Sequence, residues 1–511
     1  MTGRSTGRPP RVTARLVGHN ALSGAALLFV RLAITFVVSP VVVHALGNLR
    51  YGAWELALGV IGYMGLLDLG LSPAIVRHVA LAMGRDDTRQ VARVFWTGLV
   101  VYAGLGLLAG AGTLALALRP SLLFGNLVSG VPEARLLLAL LALDLVVRFP
   151  GTAIVALWNG IQRHVVVNSA DALLFVLQGA LTLWIVPRTS SSPLLALAWI
   201  VVGITVMRYV LLAALLAFLH GGLVGRASLG EPTALLPLLA FGGKSLLLRG
   251  ATVLNRELVP IVIAHAVGLS SVVFFAIPGR LFDYARQLAY AIGGPLTAWF
   301  AHALGRGDRE QLLRNWLRSA RPLQGFLLGS AVTLAFLGEP FLARWMGTEI
   351  SGRGAVVVRW FSLGLAFEAL GVNAVRLLTA SARHGRAALV QGGTGLVAVV
   401  LSWVFGSRHG LVGIVVPLVL LQVVRQGILL AMAGRELGLH PWRYAGRTAL
   451  VFALPVALAA IALRGLALAV PPSGYPALAL HGAVAVIAFL LGCLPVRELR
   501  ASLLDIFRTV A

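Results

Sequence analysis

The chain has 511 residues, of which 59% are hydrophobic and only 12% charged, with a mean hydropathy of +0.90 and a formal net charge of +24. A soluble protein carries about a quarter charged residues, so this composition excludes one and indicates an integral membrane protein. A lone cysteine, Cys493, excludes an intrachain disulfide and a cysteine-based metal cluster.

In chain order, a basic tail (1–21) precedes fourteen apolar runs that predict membrane helices near 22–46, 52–76, 94–118, 135–158, 167–186, 194–219, 233–263, 268–300, 322–341, 355–380, 388–405, 411–436, 447–470 and 477–494, before a short tail (495–511). The fold class is therefore an all-α polytopic membrane protein. Trp54, Trp96, Trp158, Trp184, Trp199, Trp299, Trp403 and Trp442 fall near helix ends, the interfacial preference of tryptophan. The first apolar run is too long for a signal peptide and holds Arg31, so it reads as a retained helix. With the N-terminus inside, the cytoplasmic segments carry 23 cations against 9 outside, which predicts a plasma (bacterial inner) membrane protein with both termini cytoplasmic.

Three landmarks recur. Gly84-Arg85-Asp86-Asp87 through Arg93 returns as Gly305-Arg306-Gly307-Asp308 through Arg314, 221 residues on. Arg163-His164 returns as Arg383-His384 at an offset of 220, and Arg208 as Arg425 at 217. Six helices separate each pair, so the copies face the same way, a parallel repeat. Helices 1–6 (22–219) and 7–12 (233–436) then form two lobes, with helices 13–14 (447–494) appended.

Counting Arg135, Arg359, Arg435, Arg447 and Arg464 with the loops they lie towards, ten cations remain within the spans: Arg31, Arg148, Arg208, Lys244, Arg249, Arg256, Arg280, Arg286, Arg376 and Arg425. A cation at mid-span costs roughly 2.5–3.5 kcal/mol. Seven acids (Glu55, Asp68, Asp144, Asp171, Glu257, Asp283, Glu368) cannot neutralise them all. Asp144 and Arg148 stand four apart, and Asp283 three from both Arg280 and Arg286, spacings for structural pairs. Arg376 and Arg286 lie near the cytoplasmic end, where they can snorkel. Arg31, Arg208, Lys244, Arg249, Arg256 and Arg425 have no acid three or four residues away. Ser245, Arg249, Thr252 and Arg256 form one helical stripe, and Arg280, Tyr284 and Gln287 another. These residues predict a water-filled cationic cavity suited to phosphate, because a guanidinium makes bidentate charge-assisted bonds. Asp68 and Asp283 are candidates for supporting polar or ion-coupling roles.

Other motifs lead nowhere. Gly243-Lys244-Ser245 resembles the end of a phosphate-binding loop, but Leu238 stands where the first glycine is required, so no nucleotide is expected. His44, His265 and His481 are scattered, and neither metal, cofactor nor nucleic acid is expected.

The pattern Leu46-Gly47, Tyr51-Gly52-Ala53-Trp54, Gly62-Tyr63, Leu66-Leu67-Asp68-Leu69-Gly70-Leu71 and Arg77 resembles the polysaccharide biosynthesis/export family. These are the Wzx-type flippases of the MOP superfamily, with a MATE-like fold. The resemblance implies two six-helix lobes about a central cavity. It further implies passage of a polyprenyl-diphosphate-linked oligosaccharide from inner to outer leaflet, serving O-antigen, capsule or exopolysaccharide assembly, with polysaccharide polymerase and export machinery as partners. By span and depth it maps the cationic cavity onto Arg31, Arg249, Arg256 and Arg280. A peptidoglycan-precursor (lipid II) flippase and a MATE-type antiporter remain alternatives, while a polytopic glycosyltransferase or polymerase is disfavoured by outer loops whose only acids are Glu133 and Glu349.

Overall fold

The computed structural model describes residues 14–68, 70–124, 130–224, 257–293, 296–306, 309–381, 383–440, 443–444 and 448–500. The chain divides into two compact units, Met1–Val253 and Leu254–Ala511. Among the described residues the regular structure is helical throughout. Among the described residues, ten helices are long and apolar enough to cross a membrane. Two of these, Leu22–Asp68 and Gly385–Leu437, run to 47 and 53 residues. At 1.5 Å per residue either would reach about 70 Å, more than twice a hydrocarbon core of about 30 Å. Each is broken by one glycine and serves as two spans.

The first unit contains α1 (Ala14–Met64), α2 (Leu71–Gly84), α3 (Thr88–Leu118), α4 (Ala134–Gly160), α5 (His164–Ile185) and α6 (Pro193–Val224). Gly47 turns the corner inside α1 at φ 67°, ψ 170°, a region open essentially to glycine alone. The second predicted span, 52–76, is corrected: its helix ends at Met64, a 3₁₀ turn covers Gly65–Asp68, Gly70 is left-handed and α2 begins at Leu71. Hydropathy alone reads through this break because the flanking residues are leucines. The expected loop 77–93 contracts to 85–87, closed by Asp87, whose carboxylate accepts the Gln90 N–H at 2.9 Å.

Between spanning helices burial from water contributes little, so close packing must hold the bundle. Gly106 and Gly110, one turn apart on α3, face α4. A Cβ on Gly110 would stand 2.6 Å from Val146 and 3.2 Å from the Ala142 carbonyl. Trp158, expected at an interface, is instead fully buried, its indole N–H donating to the Leu212 carbonyl at 3.2 Å. Trp184, Trp199 and Trp403 are exposed.

The second unit contains α7 (Glu257–Ala266), α8 (Val272–Ile292), α9 (Leu296–Gly305), α10 (Arg309–Met346), α11 (Thr348–Leu370), α12 (Ala374–Ala380), α13 (His384–Leu437), α14 (Ala453–Ala469) and α15 (Tyr475–Cys493). Gly410, at φ 60° and ψ −141°, makes the corner inside α13. The predicted span 355–380 stops at Gly371 and resumes as α12, and α10 runs unbroken from its basic start through Pro322. The last two helices pack against α10, with Leu337, Leu463, Leu478 and Ala485 in one buried cluster.

The duplication is visible in the cores. Val79, Ala82, Val91, Phe95, Leu157, Trp158, Leu212 and Leu216 belong to one buried cluster in the first unit. Moved by 221, 220 or 217 residues according to the nearest landmark, they become Phe300, Ala303, Leu312, Trp316, Leu377, Leu378, Leu429 and Ala433. All eight lie in one buried cluster of the second unit.

Candidate functional site

Each unit carries a polar cluster on helices that are otherwise apolar. In the first, the hub is Asp171 on α5, whose side chain is 8% exposed. Arg208 on α6 grips it with two bonds, Nε to Oδ1 at 2.6 Å and Nη2 to Oδ2 at 2.9 Å. Arg31 on α1 reaches Oδ2 at 3.5 Å. Arg208 also donates to the Tyr209 hydroxyl at 2.9 Å, and Arg31 lies 5.8 Å from the centre of the Phe175 ring. One carboxylate thus serves two guanidiniums. Arg208 takes the good geometry, and Arg31, 49% exposed, makes no other hydrogen bond among the described residues. Beside them Arg148 donates to Asp144 at 2.8 Å, the expected structural pair, and to Thr205 at 3.3 Å.

In the second unit the hub is Glu368 on α11. Its Oε2 accepts Arg286 Nε at 2.7 Å and Gln422 Nε2 at 2.9 Å, and its Oε1 accepts the Tyr290 hydroxyl at 3.3 Å. Arg286 also bonds Asp283 at 3.2 Å. Arg376 lies 5.4 Å from the Tyr290 ring centre and donates to the Val372 carbonyl and the Asn373 amide oxygen. Arg425, midway along the second half of α13, has no hydrogen-bond or ion-pair partner among the described residues, and interacts electrostatically with Glu368, Tyr290 and Arg286.

The sequence expectation that Arg31 and Arg208 lack a neutralising acid is corrected: both face Asp171, which lies on a different helix. Arg286 does not snorkel; it is bonded to Glu368. Asp68 sits apart from the clusters, accepting the Tyr102 hydroxyl and, at 3.4 Å, the Ser72 N–H. Arg280, Tyr284 and Gln287 share α8, with Gln287 exposed. Lys244, Ser245, Arg249, Thr252 and Arg256 lie outside the described residues. Sequence reasoning listed Asp171 and Glu368 only as intramembrane acids. Their signal was present, because unpaired arginines on neighbouring spans demand a carboxylate at matching depth. Glu133 and Glu349 are also engaged, Glu133 with Arg50 at 3.3 Å and Glu349 with Arg353 at 3.5 Å. No group of three metal-ligating side chains occurs among the described residues.

The second unit also encloses an apolar cavity of about 600 Å³ among α8, α10 and α15 and residues just before α14. Phe326, Phe452, Phe489 and Leu490 line it, and Arg321, whose buried Nε has no hydrogen-bond partner, supplies its one charge.

No family model matches the chain, and no curated protein matches it by sequence. Solved structures do. An inward-facing multidrug resistance MATE family transporter of the MOP superfamily aligns with a TM-score of 0.63 at 18% identity, over 80% of this chain and 98% of that one. The chain has the MATE fold. An outward-facing MATE transporter of the superfamily aligns at 0.57 and 17%, over 84% and 99%. A MOP superfamily transporter from Pyrococcus furiosus, described as having a binding pocket of reverse polarity that suggests a different function, aligns at 0.57 and 16%, over 84% and 99%.

Proposed function

We propose that the chain is a membrane transporter that moves an anionic, lipid-anchored substrate, a polyprenyl-diphosphate-linked oligosaccharide, from the inner to the outer leaflet by alternating access. The observation that carries this reading is Arg31, half exposed on a spanning helix and sharing one carboxylate with Arg208, which holds it by two short bonds while Arg31 reaches it only at 3.5 Å. A guanidinium so placed is stabilised by an incoming phosphate, and its planar fork matches one. The substrate's head is charged and cannot enter hydrocarbon, whereas its tail never leaves it. The apolar cavity of the second unit suits such a tail, and the inside-negative potential favours outward movement of each negative charge by about 2.3 kcal/mol per 100 mV. The membrane is the bacterial inner membrane, with both termini cytoplasmic, and polymerase and export machinery act downstream.

The names of the solved neighbours favour one second reading, a drug or cation antiporter on the same fold. It needs carboxylates free to bind a cation. Asp68 is taken by Tyr102 and Ser72, Asp171 by Arg208, and Glu368 by Arg286, Gln422 and Tyr290. Efflux of a cationic dye from everted vesicles separates the two. The flippase reading expects none above the empty-vector level. It also expects cells lacking the protein to accumulate lipid-linked oligosaccharide on the inner leaflet, with Arg31→Ala failing to restore export while still inserted and Arg31→Lys restoring part of it. Dye efflux, together with full export by Arg31→Ala, refutes it.

A further inference from the structure

The duplication supplies an internal control for Arg425. In the first unit Asp171, seven residues after His164, neutralises Arg208. Seven residues after the equivalent His384 stands Gln391, and the equivalent of Arg208 is Arg425. The acid has become an amide.

Helix geometry places Gln391 and Arg425 opposite one another. Across the Gly410 corner the Ser402 hydroxyl donates to the Ile414 carbonyl at 3.0 Å. Gln391 lies eleven residues before Ser402, and Arg425 eleven after Ile414. Eleven residues come to three full turns within about 20°, so both positions keep the face of that contact and lie level with each other, about 16 Å along the helices from it. The nearest carboxylate, Glu368, acts on Arg425 electrostatically but makes no ion pair with it among the described residues, its own ion pair being with Arg286. Arg376, over the Tyr290 ring, spends its hydrogen bonds on a carbonyl and an amide oxygen and has no carboxylate partner among the described residues. Arg425 and Arg376 both act electrostatically on Tyr290.

We propose that Arg425, with Arg376 beside Tyr290, binds an oxyanion, phosphate or a phosphoryl group, in the place that the Asp171 carboxylate fills in the first unit. The ligand is an oxyanion rather than a halide because a guanidinium offers two parallel donors that a phosphate oxygen pair meets and a single ion does not. The inference rests on the repeat and on the lack of a hydrogen-bond or ion-pair partner for Arg425 among the described residues, and holds whether or not the chain transports a lipid.

The test is the unfolding midpoint of the purified full-length protein in detergent, titrated with inorganic diphosphate against chloride at constant ionic strength. The wild type should gain a higher midpoint with diphosphate. Arg425→Gln should lose the response or need at least about tenfold more diphosphate, a factor equivalent to one good charge-assisted pair. Gln391→Asp rebuilds the arrangement of the first unit, and should raise the midpoint in chloride while removing the diphosphate response. No response in the wild type overturns the proposal, as does a full response in either variant. Geranyl diphosphate distinguishes the sources: potency at least about tenfold above inorganic diphosphate assigns a lipid phosphate, equal potency a free anion.

Discussion

Replacing Asp171 with Asn keeps the volume of the side chain and removes only its charge, so the change isolates the electrostatic hub of the first unit. Arg208 exchanges the two carboxylate oxygens it holds at 2.6 and 2.9 Å for one neutral amide oxygen and an NH2 that cannot accept from it, and keeps the Tyr209 hydroxyl. Breaking a buried ion pair costs about 3–5 kcal/mol. With the Arg208 side chain 23% exposed and neutral acceptors retained on the new amide and on Tyr209, about 2–3 kcal/mol is expected here. Arg31 loses a single contact at 3.5 Å from a half-exposed side chain, the geometry of a surface pair, at about 0.2–1 kcal/mol. Two double-mutant cycles measure this by denaturant unfolding in mixed micelles, one with Arg208→Gln and one with Arg31→Gln. The Asp171–Arg208 coupling should exceed the Asp171–Arg31 coupling by more than about 1 kcal/mol. Equal couplings, or a larger one for Arg31, would show that Arg31 is the held cation and Arg208 the available one, and would refute the reasoning.

In the second unit Glu368→Gln should destabilise the protein by about 2–4 kcal/mol, and adding Arg286→Gln should recover part of the loss, as unfolding of the single and double variants would show. Gly410→Ala forces a side chain into a glycine-only backbone region and should cost about 1–3 kcal/mol, whereas Gly393→Ala, in the same helix with open space at its Cβ, should be neutral or gain up to about 1 kcal/mol. Ser330→Phe, which fills part of the apolar cavity, should lower glycan export severalfold at an unchanged melting temperature.

What the sequence revealed follows the range of each interaction. Asp144–Arg148 is legible because both residues lie on one helix, one turn apart. Asp171–Arg208 and Arg286–Glu368 are 37 and 82 residues apart and depend on how neighbouring helices are rotated, which no single-helix spacing encodes. Spans were legible from hydropathy, with the corners at Gly47 and Gly410 falling in gaps between predicted spans, but the break at Gly70 depends on backbone conformation that hydropathy does not register. Trp158 lies two residues from its helix end, as the sequence reading has it, and is buried there with a hydrogen bond to the Leu212 carbonyl, whereas Trp184 and Trp403 are exposed. The repeat was legible at three landmarks, and its consequence lies in where the copies differ. Glu368 stands 220 residues after Arg148, and Gln391 after Asp171, so the two units distribute opposite charges over one scaffold.

The central claim is that partly neutralised guanidiniums on spanning helices accept the phosphates of a lipid-anchored glycan. Its most direct measurement uses the purified protein in proteoliposomes loaded with a fluorescent polyprenyl-diphosphate oligosaccharide, with transbilayer movement read as the fraction quenched by a membrane-impermeant reductant. The account predicts that movement exceeds that of protein-free liposomes, is competed by soluble polyprenyl diphosphates and not by cationic drugs, and is lost in Arg31→Ala. Movement unaffected by that substitution, or competed by cationic drugs alone, would contradict it.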